Sequence, residues 1–431
     1  MKLGIIADDN TGATDAAGML TEQGIKTLLL FRPERIPEER TRIAGFEAVV
    51  VATRIRSLPP GCARQLAGDA LAALRAAGCD KFQLKYCSTF DSTREGNIGP
   101  TLDACLDVLG QRATVVCPAL PVNGRRVYQG HLFVGQALLS DSPLRDHPLN
   151  PMTDSNIARW LQHQTKRKVA LVPLETLRNN PAALAACVAP EGDGGISYRV
   201  VDAIDDDDLL RIAEACRDLP FVSGGSGLTT GLARAHFPVR PPLDFRDRRR
   251  GDGPVLAISG SMSPATRAQN EWALAHGFAA APIHAGDAVR GLLDTQIRAT
   301  EVVSLLARGG RVLVRTDTTH PGEIQEIQSL GRSLGLSEVQ TGERIAQALA
   351  RIARAVCDAC PPRLLIASGG ETSGAVCEAL EIAAAEVGLP VEPGVPYVFP
   401  TDRPGLTLVL KSGNFGSGGF YGKAIEATCG T

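Results

Sequence analysis

The chain opens with Leu3-Gly4-Ile5-Ile6-Ala7-Asp8-Asp9-Asn10-Thr11-Gly12-Ala13-Thr14-Asp15. The apolar run Leu3 to Ala7 reads as a buried strand. It stops at two adjacent carboxylates, turns through Asn10-Thr11-Gly12 and enters an Ala-rich helical pattern. Acidic side chains are poor strand-interior residues, so the pair belongs at the strand's carboxyl end. In open α/β sheets that edge is where ligands bind. Successive strand side chains point to opposite faces, so one carboxylate can face a ligand while the other caps the helix. Capping alone accounts for Asp9 or Asn10 taken singly. It does not account for the whole stretch with Thr11, Gly12 and Asp15, because a later segment repeats the same chemistry.

Outward from this unit, apolar runs alternate with Ala/Leu-rich helical patterns. Strands are expected at Thr27–Leu30, Ala48–Thr53, Phe82–Tyr86, Thr114–Cys117 and Val169–Pro173, with helices such as Arg64–Ala77 and Leu102–Leu109 between them. Such alternation predicts a parallel sheet flanked by helices. The strand around Val49–Ala52 leads to Arg54 and Arg56, cations suited to an anion at a strand end. Lys85 lies inside an otherwise apolar run and needs a partner, because burying an unpaired ammonium is costly. A carboxylate ligand would suit it. Ser88, Asp91, Ser92 and Thr93 follow, a density of hydroxyls and acid suited to gripping a polyol, although a helix cap and its turn would use one or two of them. The segment Tyr128–Leu138 around Gly130 reads as a hairpin over the sheet edge. It and the Pro-rich loop Asp146–Ser155, with His131 and His147, read as a lid or a dimer arm; a homodimer is expected on that ground.

Composition breaks between Phe237 and Pro254, where prolines precede Arg246-Asp247-Arg248-Arg249-Arg250. We place a substrate domain at 1–240, a linker at 241–253 and a second domain at 254–431. The interspersed aspartates and missing aromatics mark the arginines as a solvated linker rather than a nucleic-acid patch. Alternation then restarts. Strands at Val255–Ile258, Leu364–Ala367 and Leu406–Leu410 each run into a loop of small residues: Ser259-Gly260-Ser261, Ser368-Gly369-Gly370-Glu371-Thr372-Ser373-Gly374 and Lys411-Ser412-Gly413-Asn414-Phe415-Gly416. Backbone amides at helix N-termini, unobstructed by Cβ atoms, bind phosphates. No Walker A or dinucleotide fingerprint is present. Three such loops imply an anion-binding, nucleotide-type second domain, with the reaction in the cleft between the two.

The 431 residues suffice for two or three domains, and a formal net charge of −2 supplies no field to recruit nucleic acid or anionic membrane. No apolar run is long enough to span a bilayer. The chain begins directly on a core strand with no export signal, so a cytoplasmic location with the eleven cysteines reduced is expected. Cys357 and Cys360 have CxxC spacing without a second pair or a nearby histidine, and read as the end of a helix rather than a metal or redox site.

Together, Ala7-Asp8-Asp9-x-Thr11-Gly12-Ala13-x-Asp15, the Lys85–Gly99 segment and the three glycine loops resemble the four-carbon acid sugar kinase family over essentially the whole chain. Cys87-Ser88-Thr89-Phe90-Asp91-Ser92-Thr93 with Gly96-Asn97-Ile98-Gly99, and the Asp146–Ser155 loop, resemble the branch acting on 3-oxo-tetronates. The resemblance implies a two-domain α/β enzyme that moves the γ-phosphoryl of ATP, with Mg²⁺, onto the C4 hydroxyl of a four-carbon sugar acid. On that reading Lys85, helped by Arg54 or Arg56, holds the substrate carboxylate. Asp8, Asp9 and Asp91 hold hydroxyls or accept the C4 proton, Asp9 foremost. Ser259, Ser261, Gly369, Gly370, Glu371, Thr372, Ser373, Gly413 and Asn414 line the ATP site, and Glu371 meets the metal or caps its helix. D-Threonate or D-erythronate as substrate, and a non-catalytic sugar-acid sensor with a regulatory nucleotide site, stay open as alternatives.

Overall fold

The computed structural model describes every residue except 147–149, 190–194, 244, 246–252, 318–320, 427 and 429–431. His147 and the run Arg246–Arg250 therefore lie outside the described residues. The chain divides into two compact units, Met1–Leu243 and Asp244–Thr431.

The first unit runs β1 (Leu3–Ala7), α1 (Asn10–Glu22), β2 (Thr27–Leu30), α2 (Arg40–Ala44), β3 (Ala48–Ala52), α3 (Pro60–Ala76), β4 (Lys81–Lys85), α4 (Ile98–Leu109) and β5 (Thr114–Cys117). It continues with β6 (Arg125–Tyr128), β7 (His131–Val134), β8 (Ala137–Leu138), α5 (Ile157–Gln162), β9 (Lys168–Val172), α6 (Leu174–Asn179) and α7 (Pro181–Val188). It ends with β10 (Ile196–Val201), α8 (Asp206–Ala215), β11 (Phe221–Gly224) and α9 (Ser226–His236). Its main sheet has the order β2-β3-β1-β4-β11-β5-β10-β9, with every pair parallel. All five residues of β1 are buried, as expected for a strand covered on both faces. The strands fall within a residue of their expected bounds. The expected hairpin is a small antiparallel sheet, β6-β7-β8. Its tight turn places Gln129 at φ 50 and Gly130 at φ 72. The Asp202 carboxylate at the end of β10 accepts from both turn amides, at 2.7 and 2.9 Å. His131 Nδ1 meets the Gln129 carbonyl at 2.7 Å, which gives this histidine a turn contact.

The second unit runs β12 (Val255–Ser259), α10 (Pro264–Ala275), β13 (Ala279–Ile283), α11 (Ala285–Arg290), α12 (Thr295–Gly309), β14 (Arg311–Thr316), α13 (Pro321–Ser333) and α14 (Glu338–Ala359). It closes with β15 (Leu364–Ser368), α15 (Gly370–Ala379), β16 (Ala384–Glu392), β17 (Val395–Pro400), β18 (Thr407–Lys411) and α16 (Phe420–Glu426). Strands β13-β14-β12-β15-β18 are parallel, and β17 and β16 extend the sheet antiparallel. Val255, Ala257, Leu313, Ile366 and Val409 form its core with Phe420 and Tyr421 of α16. The long amphipathic helix begins five residues before its expected start at Glu343. Ser337 caps it reciprocally with Gln340: the Ser337 amide donates to Oε1 at 2.9 Å and the Gln340 amide to Oγ at 3.2 Å. Cys360 is its C-cap residue, and Cys357 is a buried thiol.

Candidate functional site

In the first unit the carboxyl ends of β3, β1 and β4 lie side by side, with Ala7 in register with both Ala52 and Lys85. Asp9 caps α1 from an extended conformation. Its Oδ1 accepts from the Gly12 amide at 2.7 Å and its Oδ2 from the Thr11 hydroxyl at 2.9 Å. The sharp reversal after β3 uses Arg54 in the left-handed region at φ 56. The Arg56 amide then reaches the Asp8 carbonyl at 3.1 Å. Asn97 secures this turn through one amide group, which donates to the carbonyls of Ile55, Arg56 and Leu58 at 2.6, 3.1 and 2.9 Å.

The Arg56 guanidinium is thereby set among three acids. It grips Asp8 with two hydrogen bonds, at 2.8 and 3.0 Å, pairs with Asp9 at 3.0 Å, and lies 3.8 Å from Asp91. Asn150 donates to the other Asp91 oxygen at 2.8 Å. Burial lifts the Asp8 carboxyl above its ordinary value against the pull of Arg56. Burial also opposes ionisation of Asp9, but Arg56, Lys85, the Thr11 hydroxyl and the Gly12 amide outweigh it and hold Asp9 low. A fork-shaped cation inside this acidic ring stays charged.

Lys85, the last residue of β4, is 3 % exposed, and its charge favours the ionised forms of Asp8, Asp9 and Asp15. It lies against the first turn of α1, where a Cβ on Gly12 would collide with Lys85 Nζ and Asp9 Oδ1. Only glycine leaves that space. One turn on, Asp15 is buried, its Oδ1 has no partner, and burial raises its pKa against the pull of Lys85. The Ser226 hydroxyl at the start of α9 lies close enough to Asp15 to lower its pKa, and the Asn10 Oδ1 and the Arg125 Nε are buried without partners. Arg125, on β6, is close enough to Asp15 to lower its pKa. Buried polar groups are normally satisfied, so this concentration of unmet donors and acceptors marks a polar ligand site.

The structure thus brings together Asp8, Asp9, Thr11, Gly12, Asp15, Arg56, Lys85 and Asp91. Arg54 is exposed at its strained position. Ser92 turns inward: its hydroxyl accepts from Gln164 at 2.8 Å, and its carbonyl accepts from Trp160 at 3.1 Å. The Thr93 carbonyl takes a second Gln164 bond at 2.7 Å, so these two residues hold the loop. Ser88 is half-buried on the same loop. Arg125, Asn150 and Ser226 were not singled out by the sequence. Each comes from a distant segment: Arg125 and Ser226 lie beside Gly-containing turns and Asn150 in the Pro-rich loop, but none is marked individually.

In the second unit the three glycine loops meet because their strands are neighbours. Arg315, Ser259, Ser368 and Lys411 form one register row across β14, β12, β15 and β18. Gly369 has φ 121, a conformation for glycine only, and a Cβ there would press on Ser261. A Cβ on Gly413 would collide with Ser261 Oγ, whereas one on Gly370 would meet nothing within 4 Å. Thr372 and Ser373 are buried in the first turn of α15, and Ser373 Oγ donates to the Ala367 carbonyl at 3.1 Å. Asn414 follows on the third loop. A cavity of about 90 Å³ opens beside the row, lined by Ser259, Ser261, Arg267, Asn270 and Arg315 among others. Asn270 orients Ser259 with a 3.0 Å hydrogen bond, and the Arg315 Nε is buried without a partner. The two arginines are cation-bearing additions to what the loops predicted.

Glu371 opens α15 and makes no hydrogen bond or ion pair with a described residue. Desolvation of its carboxyl, with Glu343 nearby, raises its pKa. Among the described residues no three His, Cys, Asp or Glu side chains converge as a metal cage. No helix among them is long and apolar enough to cross a membrane.

Residues 3–232 match the sugar-binding N-terminal domain family, and residues 256–420 match the nucleotide-binding C-terminal domain family. A 3-oxo-tetronate kinase from Burkholderia multivorans is 40% identical over 99% of this chain and 97% of the relative. One from Salmonella typhimurium is 37% identical over 98% of each. Among solved structures, a Salmonella typhimurium LT2 protein described as a putative tRNA synthase matches with a TM-score of 0.80 at 34% identity, covering 99% of both chains. A Haemophilus influenzae protein matches at 0.76 and 32%, over 99% of this chain and all of its own. With both domain families matched in order and full-length kinase relatives at this identity, the chain belongs to the four-carbon acid sugar kinase family.

Proposed function

We propose that this protein transfers the γ-phosphoryl group of ATP to the C4 hydroxyl of a 3-oxo-tetronate, giving the 4-phosphate and ADP. Residues 1–240 would bind the sugar acid and residues 254–431 the nucleotide. The carrying observation is the buried Lys85 ammonium, set beside Asp9 and Asp15, with the Asp15 Oδ1 and the Arg125 Nε left without partners next to it. A small polyhydroxylated carboxylate satisfies such a set: Lys85 takes the carboxylate, and Asp15 and Ser226 take hydroxyl or carbonyl oxygens. Arg56 is committed to Asp8 and Asp9, so Arg125 is the better placed second cation. Full-length kinase relatives whose names specify 3-oxo-tetronate support the substrate class.

Phosphoryl transfer needs positioning and charge neutralisation more than covalent chemistry by the protein. Asp9 is the proposed proton acceptor, because its surroundings keep it ionised and its side chain is 21% exposed against 8% for Asp8. Asp91, equally open at 20%, is held by Asn150 and is the other acid able to reach a hydroxyl. Loss of a general base costs about 10²–10⁴ in rate, so Asp9→Asn should lower kcat by that factor and Asp91→Asn by less. The reverse ranking would move the role to Asp91. In the second unit, the loop amides, Ser259, Ser261, Arg267 and Arg315 fit a polyphosphate. Glu371 fits Mg²⁺, which is held in such sites by one or two carboxylates plus substrate phosphates and neutralises phosphate charge when bound.

An ADP-release assay over both enantiomers of threonate, erythronate and 3-oxo-tetronate tests the reading. Turnover confined to a 3-oxo acid supports it. Turnover on a reduced acid keeps the kinase and changes the substrate. ATP binding without any turnover would favour the sensor.

A further inference from the structure

Lys411 is the last residue of β18, fully buried, and its ammonium meets only neutral groups. Nζ donates to the Thr266 hydroxyl at 3.1 Å and to the carbonyls of Ser412 and Gly413 at 3.1 and 3.4 Å. Its register partner on β15, Ser368, shares its hydroxyl with the Tyr421 phenol of α16. Burial pushes that phenol up to about 12, which keeps it neutral. No charged group contributes to the lysine's own shift: burial alone pushes it down to about 7. An interior ammonium with no carboxylate is costly, and nothing in the packing requires a cation there.

The loop above it is held in one orientation. The Gly413 carbonyl accepts from the hydroxyls of Ser263, which caps α10, and of Thr266 in its first turn, as well as from Lys411. Gln269, one turn further on, donates to the carbonyls of Phe415, Gly416 and Ser417. In a planar trans peptide the C=O and the following N–H point in opposite directions. Turning the Ser412 and Gly413 carbonyls down onto Lys411 therefore turns the Gly413 and Asn414 amides the other way. Neither amide has an acceptor among the described residues. Both N–H groups are therefore available to an anion at the loop.

We propose that Lys411 is a positioning residue for the phosphate donor: it fixes the 412–414 loop with its amides outward and places a positive charge behind them, opposite the nucleotide phosphates. This rests on the nucleotide-binding reading of the second unit. The lysine itself touches no phosphate. Its charge lowers the cost of bringing a polyanion to the loop, and the polyanion in turn favours the charged lysine.

The test is calorimetric binding of ATP, and of adenosine as a control, to the full chain and to Lys411→Met from pH 6 to pH 9. Wild type should lose about tenfold or more in ATP affinity over that range as the lysine deprotonates, and should take up protons on binding at neutral pH. The variant should bind ATP about tenfold more weakly at pH 6, with the pH dependence flattened and adenosine unaffected. Titration of the nucleotide is common to both proteins and cancels in the comparison. The Gly413 and Ser412 carbonyls keep other donors, so the variant should melt no lower than wild type. Parallel pH curves, or a lower melting temperature with equal loss for ATP and adenosine, would overturn the inference and leave Lys411 a structural residue. Wild type that binds no ATP at any pH would instead overturn the nucleotide reading on which it stands.

Discussion

The two units build their sites from opposite materials. In the first, charged side chains dominate: Asp8, Asp9 and Asp91 surround Arg56, and Lys85 lies buried beside Asp9 and Asp15. In the second, backbone and hydroxyls dominate, from Ser259, Ser261, Gly369, Gly413 and the α10 residues that fix them. A small sugar acid carries few groups, so its site needs strong, directional partners. A polyphosphate is large and uniformly charged, so oriented amides suffice. The contrast predicts that side-chain changes damage the first site most, and Cβ additions the second.

Arg56→Met should give the largest effect. Removing one partner from a partly buried charge cluster leaves three acids facing each other, at a cost of about 3–5 kcal/mol. Lower denaturation resistance with loss of turnover is expected. A variant as stable as wild type would show that the acids do not depend on Arg56. Gly12→Ala comes next. The new methyl displaces Lys85 Nζ or Asp9, and a lost charged hydrogen bond costs about 1.5–3 kcal/mol. KM for the sugar acid should rise with KM for ATP unchanged, and equal changes in both would break the separation of the two sites.

Gly370→Val reverses the pattern. A Cβ at this position would meet nothing within 4 Å, so folding should tolerate it. ATP affinity should fall by about tenfold, roughly 1.4 kcal/mol, while sugar-acid binding holds. Unchanged ATP affinity would remove the α15 start from the nucleotide site.

How far each site was legible follows from the same contrast. Adjacent carboxylates at Asp8 and Asp9 and a lysine at position 85 are anomalies in apolar runs, so they were visible in the sequence. The strand-to-loop junctions ending at Ser259, Ser368 and Lys411 were visible too, because glycine and serine break periodicity. Their meeting depends on β12, β15 and β18 being neighbours, which the sequence does not encode locally. Arg125, Asn150 and Ser226 are ordinary loop and helix-start residues whose importance arises only from the partners that folding brings to them. The antiparallel pair β16 and β17 was missed for a related reason. Pro390 sits at a register shift, and Pro396 and Pro400 interrupt the alternation that marks a strand.

Asp15→Asn gives the smallest and most diagnostic change. Burial raises the folded-state pKa of Asp15 above its unfolded value. The folded protein therefore binds this proton more tightly than the unfolded chain does. The resulting stabilisation is fully present below the unfolded pKa, near 3.9, and is lost as pH rises through the folded pKa. At neutral pH the carboxylate is a net burden, which an amide of the same shape does not impose. Asp15→Asn should therefore melt a few degrees higher than wild type at about pH 7–8, and the gain should vanish toward pH 4. Its KM for the sugar acid should rise over the same neutral range, because the amide replaces one acceptor oxygen of the carboxylate with an NH2 donor and carries no charge. Stability gained with affinity lost would identify Asp15 as a residue kept for the ligand. Stability lost at neutral pH would show that a contact within the fold already neutralises it, and the unmet Oδ1 would no longer mark the sugar-acid site.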